Sequence, residues 1–184
     1  LDLPGGGVMP AFGMGTWHLG ESPATRRAEV AAVREAIALG YRLIDSAEMY
    51  GEGGAEEVVG LALTEALRAG EARREDLFIV SKVYPHNASR KGTAAACERS
   101  LRRLGLDRID LYLLHWRGQH PLADTAQAMR ALQAQGRIAH WGVSNFDLDD
   151  LQELQAACGA KFDCAVNQVY YSLGERGAAH SLLP

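Results

Sequence analysis

Cysteine is the first scarcity. The chain has three, Cys97, Cys158 and Cys164, irregularly spaced and with no Cys-x-x-Cys pair. That excludes a disulfide framework and a thiolate zinc site, and it suits a reducing compartment, read here as the cytoplasm. All three read as small buried or semi-buried thiols, Cys164 as packing inside a strand. Long apolar runs are lacking too; nothing approaches the ~20 residues that a spanning helix needs. The opening Leu1-Asp2-Leu3-Pro4 has neither the charged nor the apolar region of a secretory signal. Charge of one sign is also missing. Nineteen basic and 23 acidic residues, mixed along the chain, leave a net charge of −4, so neither a nucleic-acid face nor a membrane anchor is expected. No His-x-His pair lies on any strand, and no metal site is expected. What is present is 47% hydrophobic and 23% charged residues in 184. That is ample for a packed core and fits a single domain over residues 1–184.

Short apolar runs alternate with amphipathic stretches. Tyr41–Asp45, Leu77–Val83, Ile109–His115, Arg137–Ser144 and Phe162–Gln168 read as buried strands that turn polar at their carboxyl ends. Ala11–Trp17 is a sixth candidate, and residues 1–12, with Gly5-Gly6-Gly7, read as a hairpin before it. Between the strands, Val30, Val33 and Ile37 share a helical face, as do Val59, Leu63 and Leu67. Three more such faces follow, with Ser89 and Asp147 as N-caps. Gly40, Gly70, Gly105, Gly136 and Gly159 stand just past the five helices as stop signals. A repeated β-α unit predicts a parallel sheet.

Asp45, Lys82, His115, Ser144 and Asn167 mark successive strand ends, 37, 33, 29 and 23 residues apart. In a (β/α)8 barrel such ends converge on one mouth, where catalytic groups sit. A doubly wound sheet would want a glycine fingerprint after its first strand. Gly13-Met14-Gly15-Thr16-Trp17-His18 has a histidine where the third glycine belongs. The reading is therefore an α/β chain covering about six units of a (β/α)8 TIM barrel. Two further units and a C-terminal loop are expected after Pro184.

Asp45, Tyr50, Lys82 and His115 form a plausible acid–base set. A free phenol has a pKa near ~10; an ammonium beside it favours phenolate, and a carboxylate fixes the ammonium. On residue types alone, the same groups also fit caps, a structural ion pair and packing.

Longer motifs add a resemblance. Gly13–Trp17, GYRLIDSAEMYGEGGAEEVVG (Gly40–Gly60), IVSKVYP (Ile79–Pro85), SLRRLGLDRIDLYLLHW (Ser100–Trp116), GRIAHWGVSNF (Gly136–Phe146) and NQVYYSL (Asn167–Leu173) together resemble the aldo-keto reductase superfamily, and its bacterial small-aldehyde or methylglyoxal reductases in particular. The resemblance implies an NADPH-dependent oxidoreductase that moves a hydride from the nicotinamide to a carbonyl carbon. Tyr50 would be its proton donor, Lys82 the residue that lowers the tyrosine pKa, Asp45 their support and His115 the group orienting the carbonyl. Ser144, Asn145 and Gln168 would hold the nicotinamide carboxamide, with Thr16 beside it. Trp17, Tyr84, His115 and Trp116 would line the substrate pocket. Implied with these are a small carbonyl substrate and a monomeric complete protein. The alternative is a catalytically incompetent fragment or a non-enzymatic NADPH-binding regulatory module on the same scaffold.

The remaining polar residues have plainer readings. Trp141 reads as core, and His18, His86, His120, His140 and His180 as surface or loop residues. Glu48, Glu52, Glu56 and Glu57 read as a solvated helix start. Arg176-Gly177 and Leu182-Leu183-Pro184 read as the beginning of a sixth helix. Six strands alone leave two unpaired edges, so self-association of the isolated chain is expected.

Overall fold

The computed structural model describes residues 1–183. Six parallel strands form one sheet in chain order: β1 (Gly13–Gly15), β2 (Leu43–Asp45), β3 (Phe78–Val83), β4 (Ile109–Leu114), β5 (Ile138–Ser144) and β6 (Asn167–Gln168). The helices between them are α1 (Arg26–Ala38), α2 (Gly54–Ala69), α3 (Arg90–Leu104), α4 (Leu122–Ala134) and α5 (Leu148–Cys158). A four-residue α6 (Ala178–Ser181) begins where the sixth helix was read, while Pro184 lies outside the described residues. The predicted caps form: Ser89 Oγ accepts from the Gly92 N–H at 3.0 Å, and Asp147 makes a reciprocal capping box with Asp150. Asp2 pairs antiparallel with Val8 in the N-terminal segment.

The period of two along each strand sorts the side chains into two layers. Ile79, Val83, Tyr112, Leu114, Trp141 and Val143 point outward and pack under the helices. Phe78, Val80, Leu111 and Leu113 point inward with Leu3, forming a smaller core. Lys82, His115 and Ser144 continue the inward rows to their carboxyl ends, and each is buried. The sheet is curled. In a flat sheet four strand intervals would separate β2 from β6 by about 19 Å, yet Gln168 Nε2 donates to Asp45 Oδ1 at 3.0 Å.

Two elements differ from the sequence reading. The strand expected over 162–168 shortens to Asn167–Gln168, because it has a ladder partner on one side only. His140 lies within β5 and is half-buried rather than on a loop, whereas His18, His86 and His180 are exposed. Trp141 is core, at 2% exposure.

Candidate active site

Trp17, just past β1, and the carboxyl ends of β2, β4, β5 and β6 line a cleft of about 710 Å³. Behind two of the lining residues, Asp45 and Tyr50, Lys82, 1% exposed, reaches four oxygens: Asp45 Oδ2 at 2.7 Å, Asp45 Oδ1 at 2.8 Å, the Ser46 carbonyl at 3.0 Å and the Tyr50 hydroxyl at 3.3 Å. An ammonium has three hydrogens. The three nearest oxygens claim them, and the phenol is left with the longest contact.

That ordering corrects the expected electrostatics of Tyr50. Its phenol does not fall below its free value; burial, reinforced by the charge of Asp45, pushes it up to about 12. The Lys82 charge that should have lowered it is already paired with Asp45. Burial also draws Lys82 below the usual amine range, against the pull of Asp45. His115 stands edge-on to Tyr50 with ring centroids 5.5 Å apart. Burial, and then the charge of Lys82, press it down to about 4, so its imidazole is neutral at pH 7. Its Nδ1 is buried without a partner among the described residues.

Polar groups of a second kind enter from β5 and β6. Asn145, in the left-handed region at φ 57°, donates from Nδ2 to the His115 carbonyl at 3.2 Å and to Ser144 Oγ at 3.1 Å. Gln168 spends its Nε2 on Asp45. Each amide thus turns a carbonyl oxygen to other use, beside the Ser144 hydroxyl and on the same cleft. Trp17, 64% exposed, and Trp116 wall the opening.

Besides Lys82, two of the predicted site residues stand back from the cleft. Thr16 is fully buried, and both its N–H and its hydroxyl donate to the Asp45 carbonyl at 3.0 Å, so it fixes the end of β2 from behind. Tyr84 meets the site only through Trp116, edge-on at 5.1 Å. Conversely Met49, Val169, Tyr170 and Tyr171 line the cleft, although the sequence reading did not single them out. The two tyrosines lie inside the NQVYYSL motif, two and three residues after Gln168, a signal available but unused.

The acidic cluster is a correction. Glu52 and Glu57 meet solvent in part, but Glu48 is 8% exposed and Glu56 fully buried. Both accept hydrogen bonds from arginines of α3, a helix some 40 to 50 residues further along the chain. Among the described residues no three His, Cys, Asp or Glu side chains gather as a metal site would need, and no helix is long and apolar enough to cross a membrane.

The Aldo/keto reductase family pattern matches residues 11–184. The chain belongs to the aldo/keto reductase family. All 184 residues align at 52% identity with methylglyoxal reductase YeaE of Escherichia coli, covering 62% of that protein. Glyoxal reductase of Bacillus subtilis is 40% identical over 93% of this chain and 57% of its own length. An aldo-keto reductase from Klebsiella pneumoniae, crystallised in complex with NADPH, superposes with a TM-score of 0.88 at 48% identity, over 99% of this chain and 61% of that one. The curled six-stranded sheet is therefore part of the family's (β/α)8 barrel, and the chain spans about three fifths of the length of these relatives.

Proposed function

We propose that this chain carries the proton-transfer half of an NADPH-dependent carbonyl reductase acting on small aldehydes such as methylglyoxal, the complete protein being a monomer in the cytoplasm. The observation that carries the reading is the Tyr50 hydroxyl 3.3 Å from a Lys82 that Asp45 holds through both carboxylate oxygens. The geometry at β5 and β6 fits the cofactor. A nicotinamide carboxamide has one N–H donor group and one carbonyl acceptor. The amide oxygens of Asn145 and Gln168 and the Ser144 hydroxyl supply that complement. Bound there, NADPH would supply the hydride.

The chain's own residues then handle the oxygen. With its pKa near 12 the Tyr50 phenol is fully protonated at neutral pH and acts as donor, not base. His115, neutral, offers an N–H rather than a charge and fixes the carbonyl oxygen near the phenol. As the proton leaves, negative charge grows on the Tyr50 oxygen, and a hydrogen of the Lys82 ammonium turns toward it from Asp45 or the Ser46 carbonyl. That stabilisation exists in the transition state and not before it, which is the form of binding that accelerates a step.

Tyr50→Phe in the full-length protein tests the assignment. Turnover of methylglyoxal with NADPH should fall roughly 100-fold or more, the scale of general acid–base catalysis. Cofactor binding, followed by NADPH fluorescence, should persist. Near-normal turnover by the variant would defeat the assignment of Tyr50. A wild-type protein that binds NADPH and reduces nothing would favour the regulatory-module alternative.

A further inference from the structure

Glu48 and Glu56 flank Tyr50 at two residues before and six residues after, and neither carboxylate is in solvent. Glu48 Oε1 accepts from the Tyr84 backbone N–H at 2.8 Å and from Asn87 Nδ2 at 2.9 Å, and its Oε2 accepts from Arg99 Nη2 at 3.1 Å. Its own N–H donates to the Lys82 carbonyl at 3.3 Å. Glu56 accepts from Ser81 Oγ at 2.6 Å and from Arg103 Nη1 at 3.0 Å. Arg99 and Arg103 stand one turn apart on α3, so one face of one helix grips both ends of the segment that bears Tyr50.

Between the two grips the backbone is left-handed at three consecutive residues, Gly51 at φ 56°, Glu52 at φ 53° and Gly53 at φ 96°. Glu52 is in a region that L side chains rarely adopt, and such conformations persist only where their surroundings over-determine them. A Cβ on Gly53 would fall 2.3 Å from Arg103 Cζ, so the guanidinium lies directly against the turn.

We propose that Glu48, held by Arg99, is a positioning residue that sets the Tyr50 hydroxyl against Lys82, with Glu56–Arg103 as the second grip. The proposal rests on the reading of Tyr50 as proton donor. Its physical ground is that, among the described residues, Glu48 alone has a side chain bonded at once to the Tyr84 backbone, to the loop after it and to α3. The Tyr50–Lys82 contact is the longest at the amine, so it has the least margin for a displaced loop, and misplacement by about 1 Å can cost about 100-fold in rate.

The test uses the full-length protein. Glu48→Gln keeps an acceptor for Tyr84 and Asn87 but removes the charge that Arg99 pairs; Glu48→Ala removes all three bonds. kcat for a small aldehyde should fall about 10-fold in the first and about 100-fold in the second, with KM and the NADPH Kd within about 2-fold of wild type. The solvent deuterium isotope effect on kcat should rise, because proton delivery becomes the slower step. A merely structural role would reduce the amount of folded enzyme and leave the isotope effect unchanged. Where Glu48→Ala fails to fold, Glu48→Gln, Arg99→Met and their double variant carry the test, the double losing no more than the worse single. Wild-type kcat and isotope effect in a folded Glu48 variant, or full additivity in the double, would overturn the proposal. An active Tyr50→Phe would instead overturn the reading beneath it, whatever Glu48 does.

Discussion

The middle of the sheet and its two margins are built differently. β3 and β4 have six residues each, all buried, with a strand on either side and helices behind. β1 and β6 have three and two residues, none buried. Lys82 and His115 emerge from the first kind of strand, Trp17 and Gln168 from the ends of the second. The two groups proposed to attend the proton donor, Lys82 and His115, stand on the stiffest part of the molecule. Those proposed to meet a ligand stand where the chain has fewer neighbours, an arrangement general to sites carried by loops on a rigid scaffold.

The comparison breaks most clearly in stability. Leu113→Ala, at a fully buried position of β4, should cost about 2–5 kcal/mol. Val166→Ala, half-buried beside β6, should cost about 1 kcal/mol. Denaturant midpoints of the two variants check this, provided their slopes agree. Equal losses would erase the distinction between middle and margin.

Next in size is a pH effect confined to the middle. The folded His115 has a pKa near 4 against about 6.5 for a free imidazole. The folded state therefore binds fewer protons between those values. The contribution is complete above pH 6.5 and is lost as pH falls through 4, on the order of 3 kcal/mol at pH 4. His115→Asn should lose less stability than wild type over that window when unfolding is compared at pH 7 and pH 4. Parallel losses would mean that His115 is not desolvated in solution.

The smallest effect belongs to the margin. Trp17→Ala should raise KM for a small aldehyde about 10-fold while leaving kcat within about 2-fold, the mark of binding shared by ground and transition states. Because the indole is 64% exposed, stability should be unchanged. A fall in kcat equal to the rise in KM would place Trp17 in the chemistry and blur the contrast.

What could be read from the chain follows the same division. Lys82, His115 and Ser144 were legible because a buried strand that ends on a polar residue is unusual, and period two then fixes which way that residue faces. Ser89 and Asp147 were legible because capping is local. The burial of Glu48 and Glu56 was not, since it depends on Arg99 and Arg103 being folded back across them from another helix. The raised pKa of Tyr50 was missed for a related reason. Residue identity shows that an amine is near, but not that nearer oxygens have used its hydrogens. The short β6 reflects pairing on one side only, which a hydrophobic run does not reveal.

Asp45 has one more consequence. The oxygen that Gln168 reaches from the far side of the curl is also one of the two that bind Lys82. That hydrogen bond is a chord drawn across an arc. Spreading the arc would withdraw the amide from an atom already engaged with the amine, and so would loosen the seat of the proposed proton relay. In this molecule the radius of the sheet and the seat of the Lys82 amine meet at one carboxylate.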